Sequence, residues 1–273
     1  MIVIKTWMVT GDCHAGFSRF KNYDKEFQQG DDCAVIILGD SGLNYTLDEG
    51  DSHLKNMLHK KYKFTIYCVR GNHEARPQDV PGMELIYDKD VDGDVYYQPQ
   101  WPRIRYFKDW GIYNISGHSV AVIGGAYSVD KFYRLKNHLR WFANEQLSTK
   151  EKRACIEELK GKQFDFVFTH TCPYPWQPTD LFLSSVNQGE VDKSMEVFLE
   201  ELAKAIDWKV FLFGHFHDDR LVRPYVEMYF KDTENLEDIW NRWEKYRNTG
   251  YLDWWLTKDL NFYQKDEILK DKL

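Results

Sequence analysis

Cysteine is scarce and unpaired in this chain. The five present (Cys13, Cys33, Cys68, Cys155, Cys172) are odd in number, widely spaced and nowhere arranged as C-x-x-C. A disulfide framework and a cysteine-built zinc site are therefore not expected. A reducing compartment fits best, so the chain is read as cytoplasmic. Long apolar runs are also missing: none approaches the roughly 20 residues needed to span a bilayer, and no membrane role is expected. Met1 to Val9 has no basic leader and no small-residue cleavage site before Gly11-Asp12, so it does not read as a targeting segment. Positive charge is in deficit, with 36 Lys and Arg against 43 Asp and Glu, a formal −7. That argues against nucleic acid as a partner held by bulk electrostatics, although a local basic groove stays open. Internal repeats and low-complexity linkers are absent too.

What the chain has in quantity is apolar and aromatic substance: 43% hydrophobic, 16% aromatic and ten Trp, enough for a sizeable core. Several short apolar runs each end in a polar residue of unusual chemistry. Ile2 to Val9 leads to Asp12, and Ala34 to Leu38 leads to Gly39-Asp40. Phe64 to Val69 leads to Gly71-Asn72-His73, Phe164 to Phe168 to His170, and Lys209 to Phe213 to Gly214-His215. Runs of this length, rich in β-branched and aromatic residues, read as buried strands. In open α/β sheets ligands gather beyond the carboxyl ends of strands, so five such ends imply one shared site. Between them, 47–61, 139–159 and 191–206 carry the pattern of surface helices. Residues 112–126 read as a hairpin across Gly117-His118, and 77–108, with four of the eight prolines, as an irregular insertion near the site mouth. Because the motifs span 12 to 217, a single body is expected. It comprises a catalytic domain over 1–224 and an aromatic-rich extension, 225–273, packed on it.

In an extended segment, positions two apart face the same way. Asp12 and His14 could then grip one cation while Cys13 points elsewhere, and His215-Phe216-His217 repeats the geometry. Asp40 directly follows an apolar run, where an unpaired carboxylate is costly and a cation would satisfy it. A single D-x-H or H-x-H triplet is more often a solvated turn than a ligand pair. The weight lies in number, order and placement. Five of the nine histidines fall at strand ends with two aspartates and an asparagine. Oxygen and nitrogen donors without sulfur suit Mn, Fe or Zn.

The ordered set Gly11-Asp12-Cys13-His14, Gly39-Asp40, Gly71-Asn72-His73-Glu74, Thr169-His170 and Gly214-His215-Phe216-His217 resembles the calcineurin-like metallophosphoesterases. The motifs bracket about the first 220 residues. The resemblance implies an α/β fold, a four-layer α/β/β/α sandwich of two mixed sheets with two divalent transition metals at one edge, manganese by preference. It implies that Asp12, His14 and His217 hold the first metal, that Asn72, His170 and His215 hold the second, and that Asp40 bridges both. Two cations roughly 3.5–4 Å apart stabilise the attacking and leaving oxygens of an in-line displacement and acidify a shared water to hydroxide. His73 is implied as the proton donor to the leaving oxygen, with capping of the Gly71 turn as the plainer alternative. Glu74 is expected to support the ligands rather than react.

The segment Val69-Arg70-Gly71-Asn72-His73-Glu74 also resembles the L-R-G-N-H-E signature of phosphoprotein phosphatases. That branch carries G-D-x-x-D-R-G, whereas this chain places Leu43 and Asn44 where the second Asp and the Arg would stand. A phosphate clamp must then come from elsewhere, with Arg76 and Arg134 as candidates, unless both are ordinary surface arginines. The expected activity is a phosphomonoesterase acting on a phosphorylated small molecule or phosphopeptide. The alternatives are a phosphodiesterase or nuclease on the same metals, and a non-catalytic scaffold. Cys13 and Cys172 are expected only to pack, and His53, His59, His118 and His138 to lie on the surface. Trp240, Trp243, Trp254 and Trp255 are expected to seal a core or a subunit contact.

Overall fold

The computed structural model describes residues 4–248. Two mixed sheets lie face to face. The first contains β1 (Thr6–Thr10), β2 (Cys33–Ile37), β3 (Thr65–Cys68), β4 (Glu84–Asp88), β5 (Gly93–Tyr97), β6 (Ile104–Phe107) and β13 (Thr233–Asn235), in the order β13-β1-β2-β3-β6-β5-β4. The second contains β7 (Trp110–Ile115), β8 (His118–Ile123), β9 (Gln163–Thr169), β10 (Asp207–Phe213), β11 (Arg220–Arg223) and β12 (Val226–Met228), in the order β11-β12-β10-β9-β8-β7. Strands β1, β2, β3 and β6 run parallel, as do β8, β9, β10 and β12.

Strand alternation sorts the side chains between layers. Ala34, Ile36 and Leu38 face the core between the sheets, together with Val9, Phe166, Phe168, Val210 and Leu212. Val35 and Ile37 face the opposite way, against Phe20, Leu58 and Phe64, with Leu58 supplied by α2 (Glu49–Lys61). The outer face of the second sheet packs Val167, Phe211 and Phe213 on α4 (Thr149–Leu159) and α5 (Ser194–Ala205), through Leu159, Met195, Phe198 and Leu202. Both faces of each sheet are therefore covered. This is why the strands read as unbroken apolar runs. The expected four-layer architecture is what the chain adopts.

Several local expectations change. The helix foreseen from residue 139 begins only at Thr149, because Ser148 and Glu151 form a capping box that fixes its first turn. The hairpin turns on Ser116-Gly117, with φ of 54° and 87°, one residue earlier than expected. Residues 77–108 are not irregular: they supply β4, β5 and β6, which extend the first sheet. The boundary at 224 separates β11 from β12, which are hydrogen-bonded neighbours, and β13 closes the edge of the first sheet. Residues 225–248 thus contribute strands to both sheets, followed by α6 (Leu236–Tyr246), whose Trp243 joins the inter-sheet core with Trp240 packed against it. Trp254 and Trp255 lie outside the described residues. His118 is largely enclosed rather than on the surface, its ring against Phe166 and Trp240. Among the described residues no helix is long and apolar enough to cross a membrane.

Candidate metal centre

The carboxyl ends of β1, β2, β3, β9 and β10 deliver Asp12, Asp40, Asn72, His170 and His215 to one place. Alternation along an extended strand is not what aims them, contrary to the sequence reading. His14, Asp40, His215 and His217 all have left-handed backbone, with φ of 44°, 45°, 74° and 58°. Non-glycine residues held there carry strain that clusters at functional sites. Loops tied to one another impose it. The carbonyl of Asp40 accepts from the amides of Cys13 (3.0 Å) and His14 (2.8 Å), joining the first loop to the second. A Cβ on Gly39 (φ 93°) would lie 2.0 Å from His170 Nδ1, so only glycine lets that ring close on the chain.

The two aspartates are held alike. Asp12 Oδ1 accepts from the His215 amide and Asp40 Oδ1 from the His73 amide, each at 2.9 Å. That leaves each Oδ2 facing imidazoles. Asp12 Oδ2 lies 3.2 Å from His217 Nε2 and 3.6 Å from His14 Nε2. Asp40 Oδ2 lies 3.7 Å from His170 Nε2 and 3.8 Å from His73 Nε2. Two groups could each hold a cation, Asp12 with His14 and His217, and Asp12 with Asp40 and His170. Asp12 is common to both, and Asp40, the expected bridge, stands in the second.

The donor set fits a metal on three counts. Asp12 Oδ2 is buried and has only the imidazole nitrogens of His217 and His14 beside it. The Nε2 atoms of His14 and His217 face each other at 2.8 Å, so one ring must carry the proton and the other present its lone pair, and a cation shared by the two would take that proton's place. His170 Nδ1 donates to the Leu38 carbonyl (2.9 Å), and its Nε2 points at Asn72 Oδ1 (2.8 Å), while Asn72 Nδ2 donates to Ser128 Oγ (2.8 Å). Two lone pairs then confront each other unless a second proton or a cation intervenes. Burial would push His170 down, but the Asp40 and Asp12 carboxylates prevail and raise it to about 9. Burial also opposes ionisation of Asp40, yet His170 and His73 hold it well below the usual carboxylate range. Burial and the neighbouring His170 push His215 down to about 3, leaving it a neutral donor. The bond to Asp12 raises His217.

Around this cluster stand supporting residues. Glu74 accepts from Ser41 Oγ, the Gly42 amide (3.0 Å) and the Gly71 amide (3.2 Å), locking the second loop to the third. Burial and the charge of Asp40 raise its carboxyl to about 7. Ser128 donates to Glu145 Oε2 (2.5 Å), so Asn72 is anchored through a buried chain. Arg19 donates to the carbonyls of Asp12 (2.6 Å) and Phe230. Sequence reasoning missed Ser128, Glu145 and Arg19. Ser128 had a signal, since it follows an apolar run closed by Gly124-Gly125, the pattern that marked the other strand ends. A lone arginine in an aromatic turn has none.

The candidate clamps separate. Arg134 reaches the cluster, its Nη2 3.4 Å from His73 Nε2, held by Asp130 (2.8 Å) and Tyr45 (3.1 Å). Arg76 does not: its guanidinium is engaged by Asp109 (3.0 Å), Glu151 (2.5 Å) and the carbonyls of Asn144 (3.0 Å) and Gln146 (2.8 Å). This corrects its place as a phosphate-binding candidate, because its donors are already spent. Cys13 and Cys172 are buried free thiols, and burial raises Cys13 to about 12, out of reach of ligation as thiolate.

Residues 6–219 match the calcineurin-like phosphoesterase family. The chain belongs to this family. Members of this family are hydrolases of phosphate ester bonds that use divalent metal ions, and the buried Asp and His cluster fits such a metal site. No curated protein matches the chain significantly. Among solved structures, the sulfate thiohydrolase SoxB of Thermus thermophilus is similar at 12% identity with a TM-score of 0.33. The alignment covers 84% of this chain and 52% of that one, so this phosphoesterase spans about half its length.

Proposed function

We propose that the chain is a dinuclear phosphomonoesterase for a small organic phosphate. The observation that carries this reading is a cavity of about 400 Å³ that opens directly on Asp40, Asn72, His73 and His215 and is walled mainly by apolar side chains. A pocket of that size suits one small organic group. Asp12, His14 and His217 would hold one ion and Asn72, His170 and His215 the other, with Asp40 between them and Asp12 close to both. Manganese suits a set of oxygen and nitrogen donors. The bound ions would polarise the phosphoryl oxygens and lower the pKa of a water.

The chain's own groups supply the rest. Arg134 binds a phosphoryl oxygen beside His73, and His73 Nε2 donates a proton to the departing oxygen. Burial and the Arg134 cation lower His73 against the pull of Asp40, so the free protein carries it neutral near pH 7. The charge of an incoming phosphate raises it again and proton-loads it where it is needed. The five free, buried thiols support a cytoplasmic location. A second reading, phosphodiester hydrolysis, rests on another cavity of about 480 Å³ on the far side of the cluster, where Asp12 and His14 meet Arg19 and Lys231. The substituent that stays on the phosphorus of a diester could extend into it.

The test is metal analysis together with turnover on monoesters and diesters, after stripping and reloading with Mn, Fe, Zn or Mg. Two ions per chain, with monoesters preferred, is the expected result. Diesters hydrolysed faster would move the reading to the alternative, and full activity in chelator would end both. His73→Ala should keep both ions. It should slow alkyl phosphates about 10²–10⁴-fold, far more than p-nitrophenyl phosphate, whose leaving group hardly needs a proton.

A further inference from the structure

The apolar part of the cavity wall beyond the cluster includes Tyr127, Leu181, Phe182, Val191 and Phe216, with Asp130, Gln177 and Gln188 also on the lining, and one buried acid stands among them. Glu196, in the first turn of α5, is 3% exposed. Its Oε1 accepts from Thr171 Oγ1 at 2.8 Å. Its Oε2 is buried and has no hydrogen-bond partner among the described residues. A buried carboxylate oxygen left unpaired is costly, and native proteins keep such atoms where something else fills the place. Phosphoryl transfer has no use for this one. It stands in the wall of the compartment that would receive the organic half of the substrate.

We propose that Glu196 is the specificity-determining residue of this site, its Oε2 accepting a hydrogen bond from an N–H or O–H group on the organic half of the phosphoester. The inference rests on the phosphoesterase reading above and narrows it. The substrate is an apolar alcohol or phenol of about aromatic size, phosphorylated at one end and carrying a hydrogen-bond donor towards the other. Discrimination of this kind is strong, because an analogue lacking the donor leaves the buried acceptor unpaired.

Glu196→Gln tests it through a reversal of polarity. Thr171 holds the amide oxygen at the Oε1 position, so the NH2 group replaces Oε2 and an acceptor becomes a donor. On the metal-loaded protein, kcat/KM for 4-(aminomethyl)phenyl phosphate should fall about 10–100-fold, chiefly through KM. That for 4-acetylphenyl phosphate, which offers only an acceptor, should hold or rise. Comparing each ester with itself cancels leaving-group differences. Equal losses on both esters would overturn the proposal. Binding to the metal-free parent protein separates it from the phosphoesterase reading. By equilibrium dialysis, 4-(aminomethyl)phenol should bind at least tenfold more tightly than 4-ethylphenol, whether or not any ester turns over and whether or not the variant folds. Equal binding of the two phenols would overturn the proposal.

Discussion

Ser128→Ala isolates the link between the fold and the metal site. Ser128 Oγ accepts from Asn72 Nδ2 at 2.8 Å and donates to Glu145 Oε2 at 2.5 Å, and all three residues are buried. Removing the hydroxyl leaves one amide N–H and one carboxylate oxygen without partners, at about 1–3 kcal/mol each. Stability alone would not distinguish this from any buried polar deletion. The second consequence does. Asn72 Oδ1 faces His170 Nε2 only while its amide is held from behind, and a freed amide can rotate its NH2 towards that ring. Loss of a partner that orients a ligand typically lowers metal affinity about 10–100-fold. Competition with a chelator on the folded variant measures this, and calorimetry of the metal-free form measures the stability term separately. Ser128→Thr, which keeps a hydroxyl, should restore affinity. Affinity within twofold of the parent, in an alanine variant that is nonetheless destabilised, would refute Asn72 as a ligand oriented by Ser128.

Arg134→Ala should cut kcat/KM for phosphomonoesters about 10–100-fold with little change in melting temperature. Arg76→Ala should reverse that pattern, losing about 1–3 kcal/mol because Glu151 and the carbonyls of Asn144 and Gln146 lose the guanidinium, although Asp109 keeps Arg70 and Gln78, while KM holds; the same effect in both variants would reject the division of roles. His170 is raised from 6.5 to about 9, so its contribution to the metal-free fold is complete below pH 6.5 and is lost as pH rises through 9. Metal must displace that proton, so affinity should tighten by up to about tenfold per pH unit between 7 and 9 and level off above, as followed by titration calorimetry; flat affinity over that range would contradict it. At His14, which is exposed and left-handed (φ 44°), the metal-free glycine variant should melt above the alanine variant, the reverse of their usual order. Alanine melting higher would mean the strained loop is not populated.

The fold was legible because buried parallel strands write themselves as short apolar runs, and in this family each run ends on a residue with no reason to be there except chemistry. Ala34 to Leu38 followed by Gly39-Asp40 is the clearest instance: five apolar residues alternate between two cores, and the next charged group is a buried carboxylate. Segments with weaker apolar contrast misled. Residues 84–107 form the outer part of a sheet in which β4 and β5 are mostly exposed or half-buried, and their prolines and acidic turns masked three strands. Residues 139–148 carry a helical pattern, but the capping box downstream holds the first turn at Thr149, and a local signal at Ser148 and Glu151 outweighs periodicity.

The candidate site was legible in the residues that gather there and not in what orients them, and the reason is physical. A ligand must be Asp, Asn or His, so residue type and strand-end position carry the information. A residue that orients a ligand needs only a hydroxyl, a carboxylate or a guanidinium at the right distance, and Ser128, Glu145 and Arg19 look like any others until the chain brings them together. Backbone conformation was hidden in the same way. Alternation along a strand foresaw Asp12 and His14 facing one cation, yet β1 ends at Thr10 and His14 reaches the cluster through a left-handed turn pinned by the Asp40 carbonyl. A strand can aim only every second residue, at a fixed rise, and cannot converge five chain segments on one point. Convergence here requires each loop to depart from extended geometry, and the inter-loop hydrogen bonds of Asp40 and Glu74 hold those departures in place. Replacing a ligand such as His217 should therefore disturb the loops less than replacing Glu74, whose acceptors join the second loop to the third and bind no ion.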